Sequence, residues 1–157
     1  MKTIDLTNSP RKLLVDDELY PFLSRLTWSL SNGNYAQTNF CGLHICAQHM
    51  VMGSKKVIDH IDGNGLNNQL INLRFCTQSQ NNANAFLNKS SDKFSSKFRG
   101  VTKQYNKYKA SIMKDGRAYH LGTFNSETAA AKAYDRKAKE FFGEFARLNF
   151  PEEGSIQ

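Results

Sequence analysis

The chain has 157 residues, room for one medium domain or two small ones, and its 39% hydrophobic and 11% aromatic content excludes wholesale disorder. A formal charge of +7 points to a polyanionic partner. The N-terminus MKTIDLTNSPRK lacks an apolar signal core, no apolar run could span a bilayer, and the three cysteines are odd in number, so a reduced cytoplasm with no membrane role is expected.

In chain order, residues 1–56 predict short strands: KTIDL, a hairpin LTWSLSNGNYAQTNF turning at SNGN, and GLHICAQHMVMG. Between the first two, DDELYPFLSRL is a short helical candidate with Asp16 as its cap. Residues 57–68, VIDHIDGNGLNN, precede a strand NLRFCT (72–77) and a short helix QSQNNANAF that Thr77 caps. The polar stretch 87–97, LNKSSDKFSSK, has no periodicity and reads as a linker. After it come three strands, FRGVTKQ, YKASIMK and RAYHLGTF, the last two joined by the hairpin signal Asp115-Gly116. A helix then runs through SETAAAKAYDRKAKEFFGE, with Ser126 at its start and Gly143 at its end. Ala130, Tyr134, Ala138 and Phe141 recur at helical spacing and form its sheet-packing face.

Charge is not spread evenly. Residues 1–86 hold seven Lys/Arg and six Asp/Glu, whereas 87–157 hold fourteen and eight, with nine basic residues between Lys89 and Arg117. Nucleic acid is the partner this block predicts.

The segment 57–68 carries the chemistry. Phosphodiester hydrolysis needs a base for water, a cation at the phosphate and a brace for the base. Histidine suits the first, since its ordinary pKa of about 6.5 leaves neutral imidazole near neutrality. Carboxylate and amide oxygens suit a hard cation such as Mg²⁺ (or Mn²⁺), which keeps several waters. Asp59 and His60 are adjacent, so on an extended segment they point to opposite sides. Asn72, twelve residues after His60, is placed to brace its loop, and Asn81 sits on the helix that follows. Asp62, Gly63, Asn64, Gly65, Asn67 and Asn68 read as turn scaffolding. A rival metal pattern, Cys41-x2-His44-x-Cys46-x2-His49, is disfavoured because strand alternation splits its side chains and no second knuckle exists.

In the C-terminal block, alternation turns Tyr108, Ala110, Ile112, Tyr119 and Leu121 toward the helix and leaves Lys109, Ser111, Met113 and His120 outward. Arg99, Lys103, Lys109, Ser111 and His120 are the candidate DNA contacts, in the major groove or against phosphates.

The run from His49 to Asn84, with DHIDGN, NLR and the asparagine-rich helix in order, resembles the HNH nucleases of the phage and intron-associated homing-endonuclease branch. LVDDELYPFL, TWSLSNGNYA and MVMG look like the N-terminal part of the same proteins. The resemblance implies a ββα-metal (His-Me finger) unit, His60 as general base, Asp59 and Asn81 as metal ligands and Asn72 as the residue orienting the catalytic loop. It further implies a mobile-element role in phage or bacterial genomes. The stretch FRGV…YKASI…HLGTFNSETAAAKAYDRKAKEFFGEFARLNFP resembles the plant APETALA/ethylene-response-factor DNA-binding domain. It departs from that pattern where base-reading arginines are usual: Thr102, Gln104, Met113 and Ala118 stand there, and His120 replaces an exposed tryptophan. Plant-type site preference is therefore not carried over.

The expected architecture is α+β: an HNH domain over 1–86 with its core at about 49–86, a linker over 87–97, and an APETALA-like domain over 98–151, a three-stranded antiparallel sheet packed on one helix. The expected function is an Mg²⁺-dependent endonuclease on double-stranded DNA, acting as a monomer without a protein partner, in bacterial cytoplasm if phage-encoded. The alternative is a non-catalytic DNA-binding regulator with a decayed nuclease unit. An RNA-directed protein is less well supported, since few aromatics fall on the outward sheet face.

Overall fold

A computed structural model describes residues 1–85 and 95–151; most of the expected linker, 87–94, lies outside the described residues. The chain divides into two compact units, Met1–Cys76 and Thr77–Gln157.

In the first unit, β1 (Lys2–Leu6) and β2 (Ser9–Val15) form an antiparallel pair with Ile4 opposite Leu13. Their alternation turns Ile4, Leu6, Leu13 and Val15 inward, into a core with Leu23, Trp28, Ala36, Ala47 and Leu66. The short helix α1 (Tyr20–Leu23) lends Leu23 to that core, and the Trp28 indole donates to the Leu23 carbonyl at 2.9 Å. Asp16 does not cap α1 with its side chain. Its carboxylate instead accepts from the Leu70 amide at 2.7 Å, stitching β2 to the segment after the DHIDGN turn.

The SNGN hairpin forms as expected, β3 (Ser29–Leu30) against β4 (Ala36–Phe40), and β5 (Leu43–Cys46) completes a three-stranded sheet in the order β3-β4-β5. The expected long strand ends there. Ala47–Val51 is helix α2, entered at Cys46 without a side-chain cap. β6 (Ile58–His60) and β7 (Leu73–Phe75) then pair antiparallel, Asp59 opposite Arg74 and His60 opposite Leu73.

The second unit opens with α3 (Gln78–Asn84), held at its start by a complete capping box: Thr77 accepts from the Gln80 amide and the Gln80 side chain accepts from the Thr77 amide. β8 (Val101–Gln104), β9 (Lys107–Lys114) and β10 (Arg117–Phe124) form an antiparallel sheet in the order β10-β9-β8. Asp115 and Gly116 both have positive φ, 50° and 76°, the left-handed pair that a two-residue hairpin requires. Helix α4 (Glu127–Phe142) is capped by Ser126, whose hydroxyl accepts from the Ala129 amide, and ends at Gly143 with φ of 53°. Ala130, Ala131, Tyr134, Ala138 and Phe142 meet Val101, Ala110 and Ile112 across the sheet, and the small alanines permit close approach. Asp135 locks the C-terminal segment to α4: one oxygen accepts from the Asn149 amide and side chain at 2.9 and 3.0 Å, the other from the Phe150 amide at 2.9 Å.

The family-based division at residue 86 and the division between Cys76 and Thr77 differ by α3, which folds with the C-terminal unit. The whole is a mixed α/β chain of small sheets and few helices.

Candidate active site and candidate DNA face

Asp59 and His60 both lie on β6, 3% and 5% exposed. Polar side chains survive such burial only when partnered, and both are. Asp59 faces its cross-strand neighbour Arg74: its Oδ2 accepts from Nε at 2.9 Å and from Nη2 at 2.8 Å. The guanidinium keeps the carboxylate oriented and balances its charge.

His60 Nε2 stands 3.3 Å from Oδ1 of Asn68, a residue with no exposed surface. The amide orientation is set by Asn68 Nδ2, which donates to the Gly65 carbonyl at 3.2 Å. An amide oxygen only accepts, so Nε2 is the protonated nitrogen and Nδ1 carries the lone pair of the neutral ring. Tyr35 lies over the imidazole with centroids 5.8 Å apart and planes 37° inclined. Burial pushes the His60 pKa below its ordinary value; the Asn68 contact and the nearby Asp62 and Asp59 charges offset this only in part. The neutral ring is thus the resting form near neutrality.

The loop between β6 and β7 is wired by its own side chains. Asn72, in a 3-10 turn over Leu70–Asn72, accepts at Oδ1 from the Asp62 amide at 3.0 Å, and its Nδ2 donates to Asp62 Oδ1 at 3.0 Å and to the Asn67 carbonyl at 2.7 Å. Asp62 also accepts from the Asn64 amide at 2.7 Å and from Asn67 Nδ2 at 2.8 Å. Leu66, 2% exposed, plugs the loop into the core, and the Leu14 amide donates to the Leu66 carbonyl at 2.8 Å. The chain therefore returns from β6 to β7 in one defined path.

These observations place Asp59, His60 and Asn72 on one hairpin of the first unit, while Asn81 rides on α3 in the second. Asp59 and Asn81 offer hard oxygen donors, the kind Mg²⁺ takes with water completing its shell. Among the described residues no three His, Cys, Asp or Glu gather as a metal cluster. At the rival cysteine–histidine pattern, His49 Nδ1 is engaged by the Ser54 carbonyl at 2.8 Å, and burial pushes the Cys46 thiol up, away from the thiolate a metal needs.

Sequence reasoning passed over Asn68, Arg74 and Tyr35. Register counted from the hairpin would have paired Asp59 with Arg74. Asn68 hid among turn-forming asparagines, and Tyr35 is too distant in sequence to leave a local signal.

On the C-terminal sheet, the outward rows run Thr102–Lys109–Thr123, Gln104–Lys107, Ser111–His120 and Met113–Ala118. Lys109, Ser111 and His120 thus share the face expected of them. Two expected contacts sit elsewhere. Lys103 pairs with Tyr108 and shares the helix side with buried Val101, because strand parity and not charge decides the face. Arg99 lies before β8, with its guanidinium on carbonyls of α3: Nη1 donates to Asn82 at 3.3 Å and Nη2 to Ala85.

Residues 41–83 match the sequence profile of the HNH endonuclease family. An uncharacterized HNH endonuclease of Acanthamoeba polyphaga mimivirus is 36% identical over 138 residues, spanning 83% of this chain and 70% of that protein. The chain belongs to the HNH endonuclease family. The family profile covers β5 through most of α3, including Asp59, His60, Asn72 and Asn81. This HNH-family chain also resembles dehydration-responsive element-binding proteins 2A and 2C of Arabidopsis thaliana, 46% and 48% identical over 57 and 58 residues. That likeness spans about a third of this chain (34% and 35%) and 17% of each plant protein, so it concerns one segment. Among the described residues no helix is long and apolar enough to cross a membrane.

Proposed function

We propose that this HNH-family chain is a Mg²⁺- or Mn²⁺-dependent endonuclease that hydrolyses phosphodiester bonds of duplex DNA, with its β6–β7 hairpin and α3 serving as a ββα-metal motif. The observation that carries the reading is His60, buried, kept neutral and held through Nε2 by Asn68 on a loop that Asn72 braces. Nδ1 of His60 takes a proton from water as the water oxygen bonds to phosphorus and the bond to the leaving 3′ oxygen breaks. Asp59 and Asn81 hold the divalent ion, which when bound supplies positive charge to the phosphate and the leaving oxygen. Arg74 keeps the Asp59 carboxylate aimed, and Asn72 keeps the His60 loop from relaxing.

Lys109, Ser111 and His120 dock the second unit on duplex DNA, with Lys107, Thr102 and Gln104 on the same face. A plant relative named as an element-binding protein supports that assignment. Tethering raises the local DNA concentration at the nuclease unit. One such unit per chain makes a nick the simplest product of a monomer, and the family branch points to a homing role in a mobile element. The resemblance assigns nuclease residues to 1–86 and recognition to 98–151, joined by 87–97, with α3 of the nuclease motif folding in the second compact unit.

The deciding experiment incubates supercoiled plasmid with the protein, Mg²⁺ or Mn²⁺, and an EDTA control. Conversion to open-circular or linear DNA only with metal is expected. Plasmid bound but left intact would instead support a DNA-binding regulator.

A further inference from the structure

The second unit holds more than a sheet and its backing helix. Ala83 of α3 is buried in the core formed by Ile112, Tyr134, Ala138, Phe142 and Ala146. Near the start of α3, Ser79 Oγ accepts from the Asp115 amide at 3.0 Å, and toward its end the Ala83 carbonyl accepts from the Arg147 amide at 3.3 Å. Arg99 closes the C-terminus by reaching the Asn82 and Ala85 carbonyls with two nitrogens.

Each contact answers a need of the helix. At seven residues α3 is too short to persist alone in water. Its last carbonyls have no partner within the helix, and a cation there also complements the helix dipole. A planar guanidinium fork satisfies two carbonyls at once, which an ammonium on a flexible stem does poorly. Arg99 is itself fixed: its amide donates to Asn149 Oδ1 at 2.7 Å, and its carbonyl accepts from Asn149 Nδ2 at 3.2 Å. Next to it Gly100, at φ +71°, passes so close to the Tyr134 ring that a Cβ would come within 2.0 Å. The backbone is pinned, and the side chain is aimed at α3.

We infer that Arg99 is a positioning residue, which clamps the C-terminus of α3 and so fixes the helix that carries Asn81, in place of contacting DNA. This rests on the proposed reading of Asn81 as a metal ligand. The unit that carries the sheet then also fixes the helix on which Asn81 rides.

The test compares full-length wild type with Arg99→Gln and Arg99→Lys. Amide hydrogen exchange over residues 78–85, without metal or DNA, is the first readout. Arg99→Gln should speed exchange there about 10-fold while α4 keeps its protection; Arg99→Lys, with charge but no fork, should fall between. The Mg²⁺ concentration for half-maximal plasmid cleavage should rise several-fold, with the salt dependence of DNA binding unchanged. Unchanged exchange over 78–85 overturns the clamp. So does a salt slope reduced by about one phosphate's worth with exchange unaltered, which makes Arg99 a DNA contact. Faster exchange with an unmoved Mg²⁺ requirement overturns the positioning role. If Arg99→Gln also unprotects α4, Arg99→Lys decides: faster exchange confined to 78–85 supports the clamp, and exchange equal to wild type overturns it. A wild type that never cleaves, with the exchange pattern as expected, leaves the clamp standing and fells the metal-ligand reading alone.

Discussion

The β6–β7 loop and the outward face of the β8–β9–β10 sheet are built on opposite terms. In the loop, Asp62, Asn67, Asn68 and Asn72 use their polar atoms on one another and on the backbone, so the histidine is presented by a rigid frame. On the sheet, Lys107, Lys109 and His120 stand exposed over a core of Ala110, Ile112 and Tyr134 that does not involve them. Chemistry demands placement to fractions of an ångström, which buried hydrogen bonds provide. Contact with a phosphate backbone tolerates a mobile lysine, since charge acts at longer reach. Mutations in the first region should therefore cost rate or stability, and in the second only affinity.

The largest expected effect is that of His60→Ala, which should lower plasmid cleavage on the order of 1,000-fold while leaving DNA affinity in a mobility-shift assay unchanged. Equal loss of both would mean that the two regions do not separate. Next, Asn72→Ala removes three side-chain hydrogen bonds from the loop. It should destabilise the first unit by about 2–4 kcal/mol, because the groups left behind lose buried partners. Trp28, the single tryptophan and buried in that unit's core, reports this unfolding by fluorescence; an unmoved denaturation midpoint would contradict the brace.

A smaller effect is expected of Lys109→Ala. Duplex affinity should fall on the order of several-fold and the salt slope by about 0.9, with Trp28 unfolding unaltered. A shift in the Trp28 transition would break the contrast from the other side. The subtlest test is pH. Burial lowers the His60 pKa, so the neutral base persists as pH falls through the ordinary value of about 6.5 and is lost only below it. The acid limb of the cleavage rate at saturating Mg²⁺ should lie under that value. The same shift makes the folded state bind fewer protons than the unfolded chain, so stability falls as pH drops through this window. A limb at or above about 6.5 would argue for a different base.

Much of this was legible in the sequence wherever one residue decides a local outcome. Thr77 fixed the start of α3, Asp115-Gly116 fixed a hairpin, and Ser126 and Gly143 bounded α4. Helix α2 escaped because five residues are too few to show a period, and LHIC before it favours a strand. β2 escaped because SPRK opens it with polar residues and its apolar positions come only at Leu13 and Val15. Arg99 and Lys103 were sorted by charge, whereas their places follow from strand parity and from helix carbonyls that a linear reading does not bring near. Asn68 was legible as a turn residue, yet its contact with His60, on the strand before the turn, is a property of the folded loop.

The folded loop bears on how far the nuclease can be treated as a portable cassette. The family match begins at residue 41, yet Leu66 seats among Leu13, Val15, Leu23 and Trp28, and Gly65 packs so tightly on Asn34 and Tyr35 that a side chain there would collide with them. A fragment cut at the family boundary would keep every proposed ligand and lose the socket that shapes the loop. Grafting the activity into another scaffold means transplanting residues 1–40 along with the motif.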